Sequence, residues 1–512
     1  MVRTILTACA VVALAAVVGW QSAALELFSR TQTTALVVTT AVAWALFALA
    51  FVLLRRVRPS HVLPLIISGA LLVGGAALLG PPNTSTDSAR YAWDGIVAGA
   101  GLSPYDHVPV ADELADLRVD WLIAEPDALT EEGEAVCDEP RVYGTTAVPS
   151  GDPLCTSINR PHVPTIYPPL AELYFAAVRL PVADTVEYLP FQVGGLLVSF
   201  GVSAMLIVAL RRRSADPSWV ALWAWSPFVA TEAVTNSHVD ALGVLLALGA
   251  SLLIASGRRV WGGIALGAAI ATKLIPVIVA PPLLKRRPFT VILVSIATFA
   301  VLYVPYVVLS GPEVIGYLPG YLSEEGYDDG SRFALLSLVL PGNAALVAAL
   351  VIVAVVAGLC WWKADPAAPW LAQLVLIGTV LVVLSPRYSW YALLLVPFIV
   401  LTRRWEWLAI PLALTARLLV PSLTVSRVAL ALAVVVVVVG WWLRRRRALR
   451  VRSGASGAGF QPAGAAGFAE SGAGVPLSTS AASPNPDDAK RSGQTESPDA
   501  AETPGGDRAD RA

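Results

Sequence analysis

The sequence predicts an all-α polytopic membrane protein: a bundle of about twelve transmembrane helices, with re-entrant or interfacial segments and a large first extracytoplasmic loop. Three observations predict it. Hydrophobic residues make up 56% of the 512 and charged residues only 14%, where a soluble domain carries about a quarter charged. The apolar residues fall in blocks of about 17–25, the length that crosses about 30 Å of hydrocarbon as a helix. Arginine-rich turns recur between blocks and mark one side as cytoplasmic. The net charge of −1 carries no information about partners, because the charges are segregated by side. Nothing in it calls for nucleic acid.

Residues 1–80 read as N-terminal transmembrane helices, with apolar spans near 3–20, 34–54 and 62–80. Met1 to Ala24 has a basic start, an apolar run and small residues, so it resembles a signal peptide; a retained first helix is the reading adopted. Both leave the next segment starting outside. Arg55, Arg56 and Arg58 place the second turn in the cytoplasm. The third helix therefore delivers Asp87 to the outer face.

Residues 81–188 read as an extracytoplasmic loop with interfacial helices. Asp87 to Leu170 is the one long polar excursion in an apolar chain. Asp87 stands at a helix exit, where a carboxylate can act as general base toward a substrate hydroxyl. It can equally cap a helix begun by SARYAWDG. Asp94, seven residues on, shares its helical face two turns away. Tyr91 and Trp93 are of the kind that anchors at an interface. Gly99-Ala100-Gly101 ends that helix. Asp112 to Glu139 is acidic and reads as a solvated covering loop. Cys137 and Cys155 both lie in this region; a disulfide is expected if the loop is extracytoplasmic, and two free thiols are the alternative.

Asn159-Arg160-Pro161-His162 leads into Pro164-Thr165-Ile166-Tyr167-Pro168-Pro169. A cation and an imidazole above a Pro-rich turn suit a phosphate at headgroup level. An arginine meeting ordinary lipid phosphates is the plainer reading. Ile166 to Leu180 is short, holds Pro168, Pro169 and Glu172, and reads as interfacial or re-entrant.

Residues 189–450 read as the main transmembrane bundle. Leu189 to Leu210 is a full span ending at Arg211-Arg212-Arg213. Spans at 218–234 and 240–256 flank a tight outer turn holding Asn236, His238 and Asp240. Val260 to Leu284 is too short for two full spans and reads as a broken hairpin around Lys273 and Pro276. Ionisable groups at membrane depth are costly and face a cavity or a partner. Lys273 is therefore expected to meet a buried carboxylate or a lipid-linked phosphate. Spans at 289–309, 343–362, 368–385, 388–402, 405–421 and 427–443 complete the bundle. Arg387, beside Tyr388 and Trp390 on the outer side, is a further candidate phosphate ligand. Residues 451–512 are rich in Gly, Ala, Ser, Pro and acidic residues and read as a disordered cytoplasmic tail.

No Walker loop, dinucleotide fingerprint or Gly-x-Ser-x-Gly elbow is present. There is no His/Cys metal spacing; an acidic loop can still bind a divalent ion without one. No cofactor is called for.

The order of motifs carries a resemblance. An Asp after a helix is followed by RYAWDGIVAGAGLSPY, INRPHVPTIYPPLAELYF, WSPFVATEAVTNSHVDAL, GIALGAAIATKLIPVIVAPPLLKRR and LSPRYSWYALLLVPF. Over roughly 80–450 the chain resembles the GT-C glycosyltransferases of actinobacteria that use polyprenyl-phosphate-mannose, above all those elongating lipoglycans. The resemblance implies a GT-C fold in the plasma membrane and an extracytoplasmic active site. It implies a polyprenyl-phospho-sugar donor and a glycolipid or glycan acceptor among membrane lipids. Asp87 matches the base of such enzymes, and Asp94 is the next acidic position. Transfer would invert the anomeric centre. One carboxylate suffices because a phosphate leaving group needs no protonation, unlike the acid-plus-base pair of glycosidases. The donor and its phosphate would be held by a pool comprising Arg90, Arg160, His162, Tyr167, His238, Asp240, Lys273 and Arg387. Members of this group often carry a histidine near the Trp-Tyr pair after the LSP turn; this chain has Arg387-Tyr388 there.

Two other functions fit parts of the pattern. A broken hairpin with a central lysine suits a transporter or lipid flippase, although no two-fold repeat of spans is visible. A large outer loop suits an envelope polysaccharide polymerase or a non-enzymatic scaffold.

Overall fold

The computed structural model describes residues 1–29, 31–326 and 332–457. Residues 1–449 form one unit, to which the elements discussed below belong; most of the expected tail lies outside the described residues. Among the described residues, seven helical stretches are long and apolar enough to cross a membrane. They are α1 (Val2–Ala24), α2 (Thr33–Leu54), α3 (Pro59–Ala76), α6 (Leu189–Arg211), Pro288–Glu324, Asn343–Lys363 and Leu423–Arg447.

Length and composition thus support a polytopic membrane protein but do not by themselves reach the expected twelve spans. The reason is visible in the remaining apolar segments, which are broken. One comprises α7 (Ala221–Ala224), α8 (Pro227–Val229) and a π-helical turn, Ala230–Thr235, and it bends by 114° into α9 (Asp240–Ala255). α10 (Arg259–Thr272) stops at Lys273 and continues as the 3-10 turns Ile275–Val279 and Pro281–Lys285, where prolines remove the amides a helix needs. α11 (Pro288–Ser310) leads to the short α12 (Leu318–Glu324). After α13 (Asn343–Lys363) and α14 (Trp370–Leu384), the 3-10 run Ser389–Leu395 passes into α15 (Val396–Thr402). α16 (Ala409–Leu419) and α17 (Leu423–Gly457) follow.

The bundle closes around buried Trp223, Trp225, Phe228 and Phe398. Buried indoles need an acceptor. Trp225 Nε1 donates to Ile66 O at 3.2 Å and Trp223 Nε1 to Ser199 O at 3.1 Å, tying the broken span to α3 and α6. Gly195 permits the closest approach: a Cβ there would lie 1.9 Å from Ala233 O, so α6 rests on the π-helical turn backbone to backbone.

One seam between the polar region and this bundle is the 236–238 turn. Asn236 Oδ1 accepts from the Asn83 and Thr84 amides at 3.0 and 3.1 Å. Ser88 Oγ donates to Asn236 O at 2.6 Å. These bonds hold the entry of α4 (Asp87–Gly99) against the 236–238 turn. α4 crosses α5 (Pro169–Arg179) closely, because Gly95 leaves room for Phe175 O and Tyr91 stacks on Phe175 at 4.4 Å. At 11 residues, α5 is too short to cross a bilayer.

Two corrections belong here. Thr86, not Asp87, holds the N-cap position, and Asp87 is the first helical residue. The acidic stretch is also not structureless. It carries a 3-10 turn, Asp112–Leu117, and the strands β1 (Ile123–Ala124), β2 (Ala128–Leu129) and β3 (Ala135–Val136). β1 joins β5 (Pro153–Thr156) and β4 (Tyr143–Thr146) in an antiparallel sheet of order β1-β5-β4, and β2 pairs β3. Cys137 and Cys155 are disulfide-bonded, with Cα atoms 5.8 Å apart.

Candidate active site

Asp87, the Arg160–Pro168 turn, the Lys273 break and the Ser385–Tyr391 turn converge on one cavity of about 320 Å³. Its chemistry is mixed. Asp87, Arg90, Arg160, Lys273 and Arg332 are its charged lining; Leu274, Ile275, Ile278, Leu318, Val380 and Leu384 are apolar; Tyr321, Tyr388, Trp390 and Tyr391 form an aromatic wall.

Asp87 is held by Asn159 and faced by His238. Asn159 Nδ2 donates to Oδ1 at 2.8 Å, and His238 Nε2 lies 3.9 Å from Oδ2. The carboxylate keeps 16% of its side-chain surface open, so it can still meet a substrate. Its charge raises the buried phenols of Tyr91 and Tyr167 further above their ordinary range, where burial already puts them.

Each cation in the cavity has a partner behind it. Lys273 Nζ lies 2.6 Å from Asp240 Oδ2 and 5.0 Å from the Tyr391 ring centroid. Its backbone is extended at the end of α10, which turns the side chain out of the helix series. Arg90 grips both oxygens of Asp94 through Nε, at 2.8 and 3.0 Å, one turn along α4. Its Nη1 donates to Val163 O at 3.1 Å. Arg160 adopts a left-handed conformation, φ 54°, that only an over-determined loop sustains. Its Nε donates to Glu324 Oε2 at 2.6 Å, and the guanidinium lies 5.3 Å from the Tyr321 ring. Arg332 pairs with Glu325.

Of the residues expected at a substrate site, Asp87, Arg90, Arg160, Tyr167 and Lys273 line this cavity. The others do not. Asp94 is 1% exposed and paired with Arg90, away from the cavity lining. Burial raises its carboxyl even though Arg90 pulls the other way. His162 is exposed and bonds Thr145 Oγ1 at 2.7 Å. Asp240 neutralises Lys273 from behind, and His238 stands behind Asp87, stacked on Trp390 at 3.9 Å. Arg387 is exposed and opens onto a separate depression of about 460 Å³ shared with Arg417. Asn159, Arg332 and Tyr321 were not expected as lining residues. Asn159 alone had a local signal, its place in the NRPH turn. Among the described residues, no cluster of three or more His, Cys, Asp or Glu side chains would hold a metal ion.

The cavity lining thus combines a carboxylate, cations, apolar side chains and aromatic rings. Residues 165–386 match the model of glycosyltransferase family 87. The match supports a membrane glycosyltransferase, an enzyme with a sugar donor and an acceptor. It covers less than half of the chain and starts after Asp87, Asn159 and Arg160. Of the cavity lining, the matched part holds Tyr167, Lys273, Arg332 and, from the aromatic wall, Tyr321; Tyr388, Trp390 and Tyr391 lie just past its end. No curated protein and no solved structure matches the chain.

Proposed function

We propose that this glycosyltransferase moves a sugar, mannose by resemblance, from a polyprenyl-phospho-sugar to a lipid-linked or cell-envelope glycan. In this reading the site faces the outside of the plasma membrane, with the C-terminal tail in the cytoplasm. The observation that carries the reading is that Asp87 and a set of cations line the same cavity as a set of apolar side chains.

The polyprenyl chain lies along the slot of Leu274, Ile278, Leu318 and Val380, with its phosphate among Lys273, Arg90 and Arg160. The acceptor hydroxyl approaches Asp87, which Asn159 holds in place. Asp87 takes the hydroxyl proton as the oxygen attacks C1 from the face opposite the phosphate. The C1–O bond to phosphate breaks, its electron pair stays on the phosphate, and configuration inverts. The charge that develops there meets preset guanidinium and ammonium groups, so little reorganisation is needed. The aromatic wall of Tyr388, Trp390 and Tyr391 offers faces on which a sugar can stack.

Asp87→Asn tests this. The amide keeps the shape and cannot accept the proton. Membranes bearing it are expected to lose transfer from polyprenyl-phosphate-[14C]mannose by about 10²- to 10⁴-fold while the protein accumulates normally. Normal transfer by that variant would refute the assignment of the base.

A further inference from the structure

Behind the base lies a buried arrangement that neither sugar binding nor bundle packing requires. His238 has no exposed side-chain surface. Its Nδ1 lies 3.0 Å from Glu232 O and 3.2 Å from Glu232 Oε2. With two acceptors facing it, Nδ1 carries a proton, so Nε2 of the neutral ring presents a lone pair. Nε2 has no hydrogen-bond partner, and it faces Asp87 Oδ2 at 3.9 Å. Catalytic hydrogen bonds are often this long before substrate binds. Trp390, stacked at 3.9 Å with planes 19° apart, fixes the plane of the ring.

Glu232 is the telling residue. Its side chain is 2% exposed, and burying a carboxylate costs several kcal/mol of lost hydration, of the order found for other buried ions. A histidine serving only to hold the turn would be satisfied by the Glu232 carbonyl alone. Yet the carboxylate is built in: Ser389 Oγ donates to Oε1 at 2.5 Å and Asn236 Nδ2 reaches Oε2 at 3.5 Å. The π-helical turn, which places Glu232, is a local departure of the kind found at functional sites. The far side of Glu232 borders a cavity of about 20 Å³ that Thr84, Thr231 and Gln21 help to line, room for about one water.

We propose that His238 and Glu232 form a proton relay behind Asp87. The inference rests on Asp87 being the base. The proton that Asp87 takes from the acceptor hydroxyl passes to His238 Nε2, which returns Asp87 to its carboxylate form. The imidazolium so formed is balanced by Glu232 at Nδ1, and the proton leaves to water as the products exchange. His238 is thus assigned to the proton and not to the donor phosphate, and Glu232 is a positioning residue. Of the neighbouring titratable groups, the phenols of Tyr91, Tyr167 and Tyr388 feel the charge of Asp87, and Asp240, two residues from His238, is paired with Lys273.

Two measurements on the full chain in nanodiscs test the relay. In transfer from polyprenyl-phosphate-mannose, His238→Asn and Glu232→Gln are each expected to lower kcat by about 100-fold, the low end of general-base effects, with the donor KM unchanged. Glu232→Gln is also expected to move the acid limb of the kcat profile to lower pH, because the anion favouring the charged ring is gone. The second measurement needs no donor. In a protein carrying His61→Gln, His107→Gln and His162→Gln, imidazole 15N shifts report His238 alone. Adding Asp87→Asn or Glu232→Gln is expected to move its titration to lower pH. An unchanged titration in both would overturn the relay whatever the substrate, and Asp87→Asn keeps the ring's packing intact. Loss of transfer in Asp87→Asn, with parental turnover and pH profile in His238→Asn and Glu232→Gln, would remove the relay and leave the base standing. Full transfer by Asp87→Asn would remove the reading of the base itself.

Discussion

Replacing Lys273 with Met separates two roles that its position combines. Lys273 is 15% exposed and Asp240 4% exposed at their side chains, and their charged atoms are 2.6 Å apart. Asp240 Oδ1 has no hydrogen-bond partner, so Lys273 is the group compensating that carboxylate. Removing one partner of a buried pair costs about 3–5 kcal/mol, because the other charge is left uncompensated. The cavity beside Lys273 lets some water reach Asp240, which places Lys273→Met at the lower end, about 3 kcal/mol. Asp240→Asn combined with Lys273→Met removes both charges and is expected to return within about 1 kcal/mol of the parent. Ligand binding should not recover with stability. Losing one charge-assisted bond to a phosphate costs about 1.5–3 kcal/mol, or about 10- to 100-fold in Kd. Both the single and the double variant should show that loss with polyprenyl phosphate as the probe. The assays are reversible unfolding in detergent micelles and fluorescence titration with polyprenyl phosphate. Parental affinity in the double variant would refute a phosphate role and leave Lys273 as the counter-ion of Asp240. Parental stability in Lys273→Met would refute the buried pair.

Other predictions concern the polar region. Burial first, and then the Asp94 carboxylate, hold the Glu172 carboxyl well above its ordinary 4.5. The folded state therefore keeps a proton that the unfolded chain releases, and stability falls as pH rises above about 4.5 toward the folded value. Glu172→Gln still offers an oxygen to Thr165 Oγ1, now 2.7 Å from Glu172 Oε1. It should flatten that decline in melting temperature between about pH 4 and 8; an unchanged slope would refute it. Cys137 and Cys155 enclose a separation of 18 residues, so replacing both with Ser should destabilise the β1-β5-β4 sheet by about 3 kcal/mol. Limited proteolysis should then cut within 123–156, and an unaltered cleavage pattern would count against the bond as a fastener of that sheet.

The transmembrane helices were legible because hydrocarbon leaves no alternative to long apolar helices, and α1, α2, α6 and α13 announce themselves by length. The Lys273 break was legible from one charge amid apolar residues and two nearby prolines. The twelve expected spans were harder to read, since Pro227, Pro276 and the 3-10 run after Ser389 shorten segments that a hydropathy window counts whole. Asp87 was found from its place at a helix exit. Of the expected phosphate ligands only Arg90, Arg160, Tyr167 and Lys273 line the cavity, because spacing along the chain does not report which way a side chain turns. Arg387 and Tyr388 are neighbours and both line the second depression, yet only Tyr388 also reaches the cavity beside Asp87. Asp94 shares a face with Arg90, and that neighbour consumed it.

By itself the sequence determined that this is a polytopic membrane protein, that its polar residues concentrate in one region after the third helix, and that Asp87 opens that region. Those properties follow from local rules: a helix must bury its apolar side chains in lipid and satisfy its amides within itself. Only the tertiary structure decided which ionisable groups meet. Asp87 reaches Asn159 across 72 residues, Lys273 reaches Asp240 across 33, and Glu232 meets Ser389 across 157. Each meeting depends on how closely two backbones approach, as α6 does at Gly195. That distance is set by packing between elements, and no local pattern in the chain encodes it.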